Sequence, residues 1–117
     1  MTFTELENCI LAQPGAVLDY PFGPEVRVYK VGGKMFALLA HEAEPLRLSL
    51  KIEPAEGLLL CGEYAAIQPG YYLNKRHWIT ATLDGSLADE FLVELIAGSY
   101  GLVVKGLTRA ARAKLMP

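Results

Sequence analysis

Leu46-Arg47-Leu48-Ser49-Leu50-Lys51-Ile52 alternates strictly between apolar and polar side chains. Successive side chains of a strand point to opposite faces, so the three leucines and Ile52 share one face and Arg47, Ser49 and Lys51 the other. A strand that is apolar on one face and polar, partly basic, on the other belongs in an antiparallel sheet with one solvated side. The segments around it agree. Upstream, residues 25–31 read as a Val/Tyr-rich strand, Gly32-Gly33 as a two-residue hairpin turn, and Lys34–His41 as the return strand. The run Met35–Ala40 suggests burial on both faces, and Glu42–Pro45 turns the chain into the alternating strand. Downstream, residues 77–83 form a further strand, with Trp78, Thr80 and Thr82 set against Ile79, Ala81 and Leu83.

Helices flank this meander. Thr2 or Thr4 can cap a first helix, with Glu5 or Glu7 three residues on, and Phe3, Leu6 and Ile10 share its apolar face. Gln13-Pro14-Gly15 ends it, and Pro21-Phe22-Gly23-Pro24 is a rigid loop. Pro54 opens a short helix to about Tyr64, whose apolar side is read as Leu58, Leu59 and Cys61. Ile67–Leu73 is a connector. Ser86 with Asp89 signals the start of a long helix ending near Lys105 before Gly106, and Thr108 caps a basic tail helix. This order predicts an α+β two-layer sandwich: a mostly antiparallel sheet with helices on one face.

The 117 residues fit one domain, 1–117, and 52% hydrophobic against 21% charged residues excludes a mainly disordered chain. Residues 1–12 lack a basic stretch and carry Glu5 and Glu7, so no signal peptide is expected. The longest apolar stretch, Phe91–Val104, is broken by Glu94, Gly98, Ser99 and Gly101, and a span needs about 20 apolar residues. The expected location is the cytoplasm, with no membrane partner and with Cys9 and Cys61 as reduced, packed thiols.

The net charge of −2 excludes a strongly basic, promiscuous polyanion binder. The charge is unevenly spread, however. Residues 1–63 hold five basic and nine acidic side chains, whereas no acid follows Glu94 and Lys105, Arg109, Arg112 and Lys114 all do. Tyr71-Tyr72-Leu73-Asn74-Lys75-Arg76-His77-Trp78 crowds aromatic, amide and cationic groups together. Aromatics stack on bases, Lys and Arg hold phosphates and Asn reads an adenine edge. The same residues can serve as a loop anchor, since Trp and Tyr bury large apolar bodies. Neither a GxSxG elbow nor an HExxH spacing occurs, so no catalytic residue is assigned.

Pro69–Trp78 and Leu83-Asp84-Gly85-Ser86-Leu87 resemble the MmcQ/YjbR family, and the Asn-Lys-x-x-Trp core is the most specific part. Pro14-Gly15-Ala16, Pro21-Phe22-Gly23, Val28–Val31, Gly33–Ala37, Leu48–Lys51 and Ser99-Tyr100 agree in the same order, while Tyr72 stands where many members carry His. The resemblance implies a fold similar to the secretion-chaperone and frataxin-like sandwiches, and a non-catalytic DNA-binding role through a "double-wing" shape. Lys51, Asn74, Lys75, Arg76 and Trp78 are the candidate contacts. A frataxin-like iron site would want a more acidic first helix, so neither metal nor cofactor is expected. The alternative is a module that captures another protein, using a sheet face or exposed edge.

Overall fold

The computed structural model describes residues 1–115. The first helix, α1 (Phe3–Leu11), starts at a full capping box: Glu5 N–H donates to Thr2 Oγ1 at 3.2 Å and Thr2 N–H to Glu5 Oε1 at 2.9 Å. Six strands follow in an entirely antiparallel sheet: β1 (Val17–Asp19), β2 (Arg27–Val31), β3 (Lys34–Ala40), β4 (Arg47–Lys51), β5 (Ile67–Pro69) and β6 (Trp78–Thr82). Their spatial order is β1-β2-β3-β4-β6-β5. The helix α2 (Pro54–Glu63) connects β4 to β5, and α3 (Asp89–Lys105) and α4 (Arg109–Ala113) complete the chain.

The alternation read from 46–52 holds. Leu48, Leu50, Ile52, Ile79 and Ala81 enter the core with Leu6 and Ile10 of α1 and Leu92, Leu95, Ile96 and Val103 of α3. Ser49 and Thr80 lie on the other face, cross-strand partners joined through their hydroxyls at 2.8 Å. The register of β2 on β3 shifts between Tyr29 and Lys30, so Tyr29 pairs with Ala37 and Lys30 with Met35. Phe36 is the extra residue of this bulge, which lets Phe36 and Ala37 both enter the core. Beside the bulge, buried Ser99 of α3 donates to Phe36 O at 2.6 Å and accepts from Lys51 N–H at 2.8 Å. Near α1, Glu7 accepts from Arg27 at 2.8 Å and from the Tyr29 hydroxyl at 2.5 Å. Burial, then the Glu7 carboxylate, pushes the Tyr29 phenol far above its usual range.

Several elements differ from the sequence expectation. The strands β1 and β5 are additional; each has three residues, too few for a periodic signal. On α2 the buried residues are Gly57 and Leu60, while Leu58 and Leu59 are 78% and 71% exposed. The helix thus faces the sheet about one residue step away from the expected phase. Ser86 does not cap α3, which starts after Ala88 without a side-chain cap. The Ser86 hydroxyl instead donates to Asp84 at 2.6 Å, inside the preceding turn.

Two predictions follow from this packing. Ser99→Ala leaves the Phe36 carbonyl and the Lys51 N–H without their buried partner. Urea denaturation should show a loss of about 1–3 kcal/mol; a change under about 0.5 kcal/mol would contradict the bridging role. The second concerns Asp19, whose carboxyl is held below its usual range by the Lys30 ammonium at 3.0 Å and by the Tyr20 N–H. A carboxyl that binds its proton less readily when folded contributes stability above its unfolded pKa, and that contribution is lost as pH falls through the folded value. Asp19→Asn should therefore lower the melting temperature at pH 7 while narrowing the gap to the parent below about pH 4. A gap independent of pH would contradict it.

Candidate functional site

Because α1 and α3 pack on one face of the central strands, the opposite face is covered by loops alone. Val28, Leu38, Ser49 and Thr80 form one cross-strand row on it, through the pairs Val28–Leu38, Leu38–Ser49 and Ser49–Thr80. Two loops rise beside this row, residues 20–26 between β1 and β2 and residues 70–77 between β5 and β6. Between them lies a cavity of about 450 Å³. Its floor is Leu38, Ala40, Ser49 and Thr80, one wall is Phe22 and Val26, and the other is Tyr71, Tyr72 and Leu73, with Arg47 alongside.

The 70–77 loop is braced from within. Gly70 donates to Trp78 O at 2.8 Å and accepts from the Lys75 ammonium at 3.0 Å. Only glycine fits there, since a Cβ would stand 2.8 Å from Trp78 Cβ and 3.2 Å from Trp78 O. Tyr71 N–H donates to Thr80 Oγ1 at 2.9 Å, tying the loop to the sheet floor. Tyr72 adopts a left-handed backbone, φ +59°, and its ring is 4.3 Å from that of Tyr71. The Tyr71 hydroxyl beside it raises the Tyr72 phenol above its usual range. Asn74 Oδ1 accepts from Arg76 N–H at 2.9 Å, a local turn of the kind Asn favours.

Folding brings Lys51 and Trp78 together as cross-strand partners, although 26 residues separate them in the chain. Lys75 and Arg76 border the same end of the sheet, along a second groove of about 300 Å³ whose apolar side includes Pro54, Leu58, Cys61 and Trp78. Trp78 is half-buried, while Asn74, Lys75 and Arg76 are exposed. Arg109 and Arg112 do not join this patch. The chain entering α4 is seated by Leu107 against Gly32 in the β2–β3 hairpin, across the sheet from β6.

The residue that sequence reasoning missed is Arg47. Its guanidinium lies 5.0 Å from the Tyr71 ring centroid and has no carboxylate partner among the described residues. Its outward direction was legible in the 46–52 alternation; its aromatic neighbour, 24 positions later, was not. Among the described residues no group of three or more His, Cys, Asp or Glu is placed to hold a metal ion, and no helix is long and apolar enough to cross a membrane. Burial raises the thiols of Cys9 and Cys61, which are both free.

Known proteins resemble this chain in sequence and fold. The YjbR family model matches residues 11–102. Escherichia coli O157:H7 protein YbdF is 37% identical over 107 residues, 92% of this chain and 88% of its own length. Escherichia coli K12 protein YjbR is 33% identical over 116 residues, 99% of this chain and 98% of its own. The crystal structure of Deinococcus radiodurans protein DR2400, a DUF419 domain, superposes with a TM-score of 0.88 at 43% identity, covering 97% of this chain and 87% of that one. A Pseudomonas syringae crystal structure gives a TM-score of 0.75 at 26% identity over 87% of this chain and 98% of its own.

The loop geometry makes a paired prediction. Gly70→Ala forces the loop away from Trp78 and should cost about 1–3 kcal/mol in urea denaturation. Tyr72→Gly should stay within about 1 kcal/mol of the parent, because relief of the left-handed backbone offsets the greater freedom of the unfolded chain. The reverse order of stabilities would show that the loop is not held in this way.

Proposed function

The chain belongs to the YjbR family, and from that footing we propose that it is a non-catalytic DNA-binding protein that meets DNA at the end of its sheet where Lys51 and Trp78 pair. The observation that carries this reading is the pairing of Lys51 with Trp78 across β4 and β6, beside Lys75 and Arg76. Lys51 and Arg76 have no carboxylate partner among the described residues and are available to phosphates. Lys75 uses one of its three donors on Gly70 and keeps two, and the Asn74 amide keeps its N–H₂ for a base edge or sugar. Trp78 supports the patch from its half-buried position. Affinity is weak because few cations converge and because Glu53, Glu56 and Glu94 line the neighbouring cleft at the Lys51 end of β4.

A labelled duplex and its single strand, titrated by fluorescence anisotropy, test the reading. Neutralising about three phosphates predicts a log–log salt slope near −3. Lys51→Ala/Arg76→Ala should weaken binding by about tenfold or more and flatten that slope by about 2. Unchanged affinity in this variant would sink the residue assignment, and no binding even at low salt would sink the class.

A second reading, a module that captures another protein, rests on the adjacent exposed Leu58 and Leu59 of α2. Leu59→Ser, outside the groove that Lys75 and Arg76 border, discriminates. It should leave DNA affinity unchanged under the first reading and abolish partner capture under the second.

A further inference from the structure

We propose that the cavity between the 20–26 and 70–77 loops is a binding site for a small planar organic anion, with its aromatic ring held between Phe22 and the Tyr71–Tyr72 pair and its anionic group on Arg47. The cavity's volume, about 450 Å³, is within the range of small-molecule sites. Three features set the ligand class.

The first is that the one charged side chain lining it is a cation. Arg47 can only donate, and it lies against Tyr71 at 5.0 Å without a carboxylate partner among the described residues. Stacking on the ring holds the guanidinium in place before any ligand arrives. The second is the hydroxyl pair on the floor. Ser49 and Thr80 are 8% and 6% exposed and share one hydrogen bond of 2.8 Å. Two hydroxyls carry two protons and their mutual bond uses one. The Tyr71 N–H already donates to Thr80 Oγ1. One hydroxyl proton is therefore left over, beside two unused lone pairs, at the floor of a mostly apolar cavity, where a buried donor calls for an acceptor. No Asp or Glu lines the cavity, so a cationic guest finds no counter-charge. The third feature is the aromatic walls. Phe22 and Tyr72 are exposed although nothing in the sheet requires them to be, and they flank a slot suited to a flat ring.

An aromatic carboxylate and a nucleoside monophosphate both present a planar ring with an anionic group, so the two sources are separated by experiment. Isotope-labelled protein is titrated with benzoate, with adenosine monophosphate and with neutral benzamide, following amide shifts by NMR. At least one anion should perturb Leu38, Ser49, Tyr71, Tyr72 and Thr80 and bind about tenfold or more tightly than benzamide. Whichever anion does so identifies the source. Arg47→Met, with its fold checked by the same spectra, should weaken that anion about tenfold or more. Tyr72→Ser, at a side chain 88% exposed and free to change without cost to the core, should weaken it several-fold. The Lys51→Ala/Arg76→Ala variant should bind it as the parent does, so failure of the DNA reading and failure of this site are separable. The proposal is overturned if neither anion shifts these residues up to about 10 mM, if benzamide binds equally well, or if Arg47→Met leaves affinity unchanged.

Discussion

The Ser99 hydroxyl is the contact on which the placement of everything else depends. The β3–β4 ladder pairs Ala37 with Leu50 and then stops. The next opposed residues are Phe36 and Lys51, and Phe36 is the bulge residue. Ser99 Oγ stands between them, donating to the Phe36 carbonyl and accepting from the Lys51 N–H. A side chain of α3 thus substitutes for one rung of the sheet. It satisfies two backbone groups that would otherwise be buried unpaired, each a cost of about 1–3 kcal/mol, and it fixes the rotation and height of the longest helix against the two central strands. The same bond holds the Lys51 peptide toward the helix, and the strand's alternation sends its side chain to the opposite face, next to Trp78.

With the principal helices bound to one side, the other side of the sheet needs cover for Val28 and Leu38, which are nearly or wholly buried without a helix above them. Two loops supply it, by different means. The 20–26 loop is stiffened by Pro21 and Pro24, whereas the 70–77 loop is hydrogen-bonded to itself and to Thr80. Loops standing on a flat sheet leave a hollow between them, and the cavity follows from covering a sheet in this way. The Asn-Lys-x-x-Trp element therefore acts as an anchor in several of its bonds: Asn74 and Lys75 shape the loop, and Trp78 packs at the start of β6.

The parts of the fold that were legible in the sequence are those with a repeated signal. The alternation of 46–52 and 77–83, the Gly32-Gly33 hairpin, the Thr2–Glu5 box and the Thr108 cap all state a local geometry in local chemistry, and the structure has them. The bulge at Phe36 was not legible, because its signature is a register between two strands; an apolar run such as Met35–Ala40 is compatible with several registers. The phase of α2 was obscured by four consecutive apolar residues, Leu58 to Cys61, any adjacent pair of which can face inward. At the site, Lys51 and Trp78 were each visible as candidates, but their adjacency is a property of strand order. Arg47 remained outside the candidate set because its importance arises only when Tyr71 is laid against it.

Net charge misleads here for a related reason. Five of the thirteen acids are already committed on the α1, β1 and turn side of the molecule. Glu7 neutralises Arg27, Asp19 neutralises Lys30, Asp89 holds the N-terminal ammonium, Glu5 caps α1 and Asp84 binds Ser86. On the loop-covered face Arg47 and Lys51 keep no such partner among the described residues. A chain of formal charge −2 thus carries unpaired cations and a spare hydroxyl proton on its loop-covered face. At Arg47 and Lys51 an incoming anion would break no ion pair among the described residues.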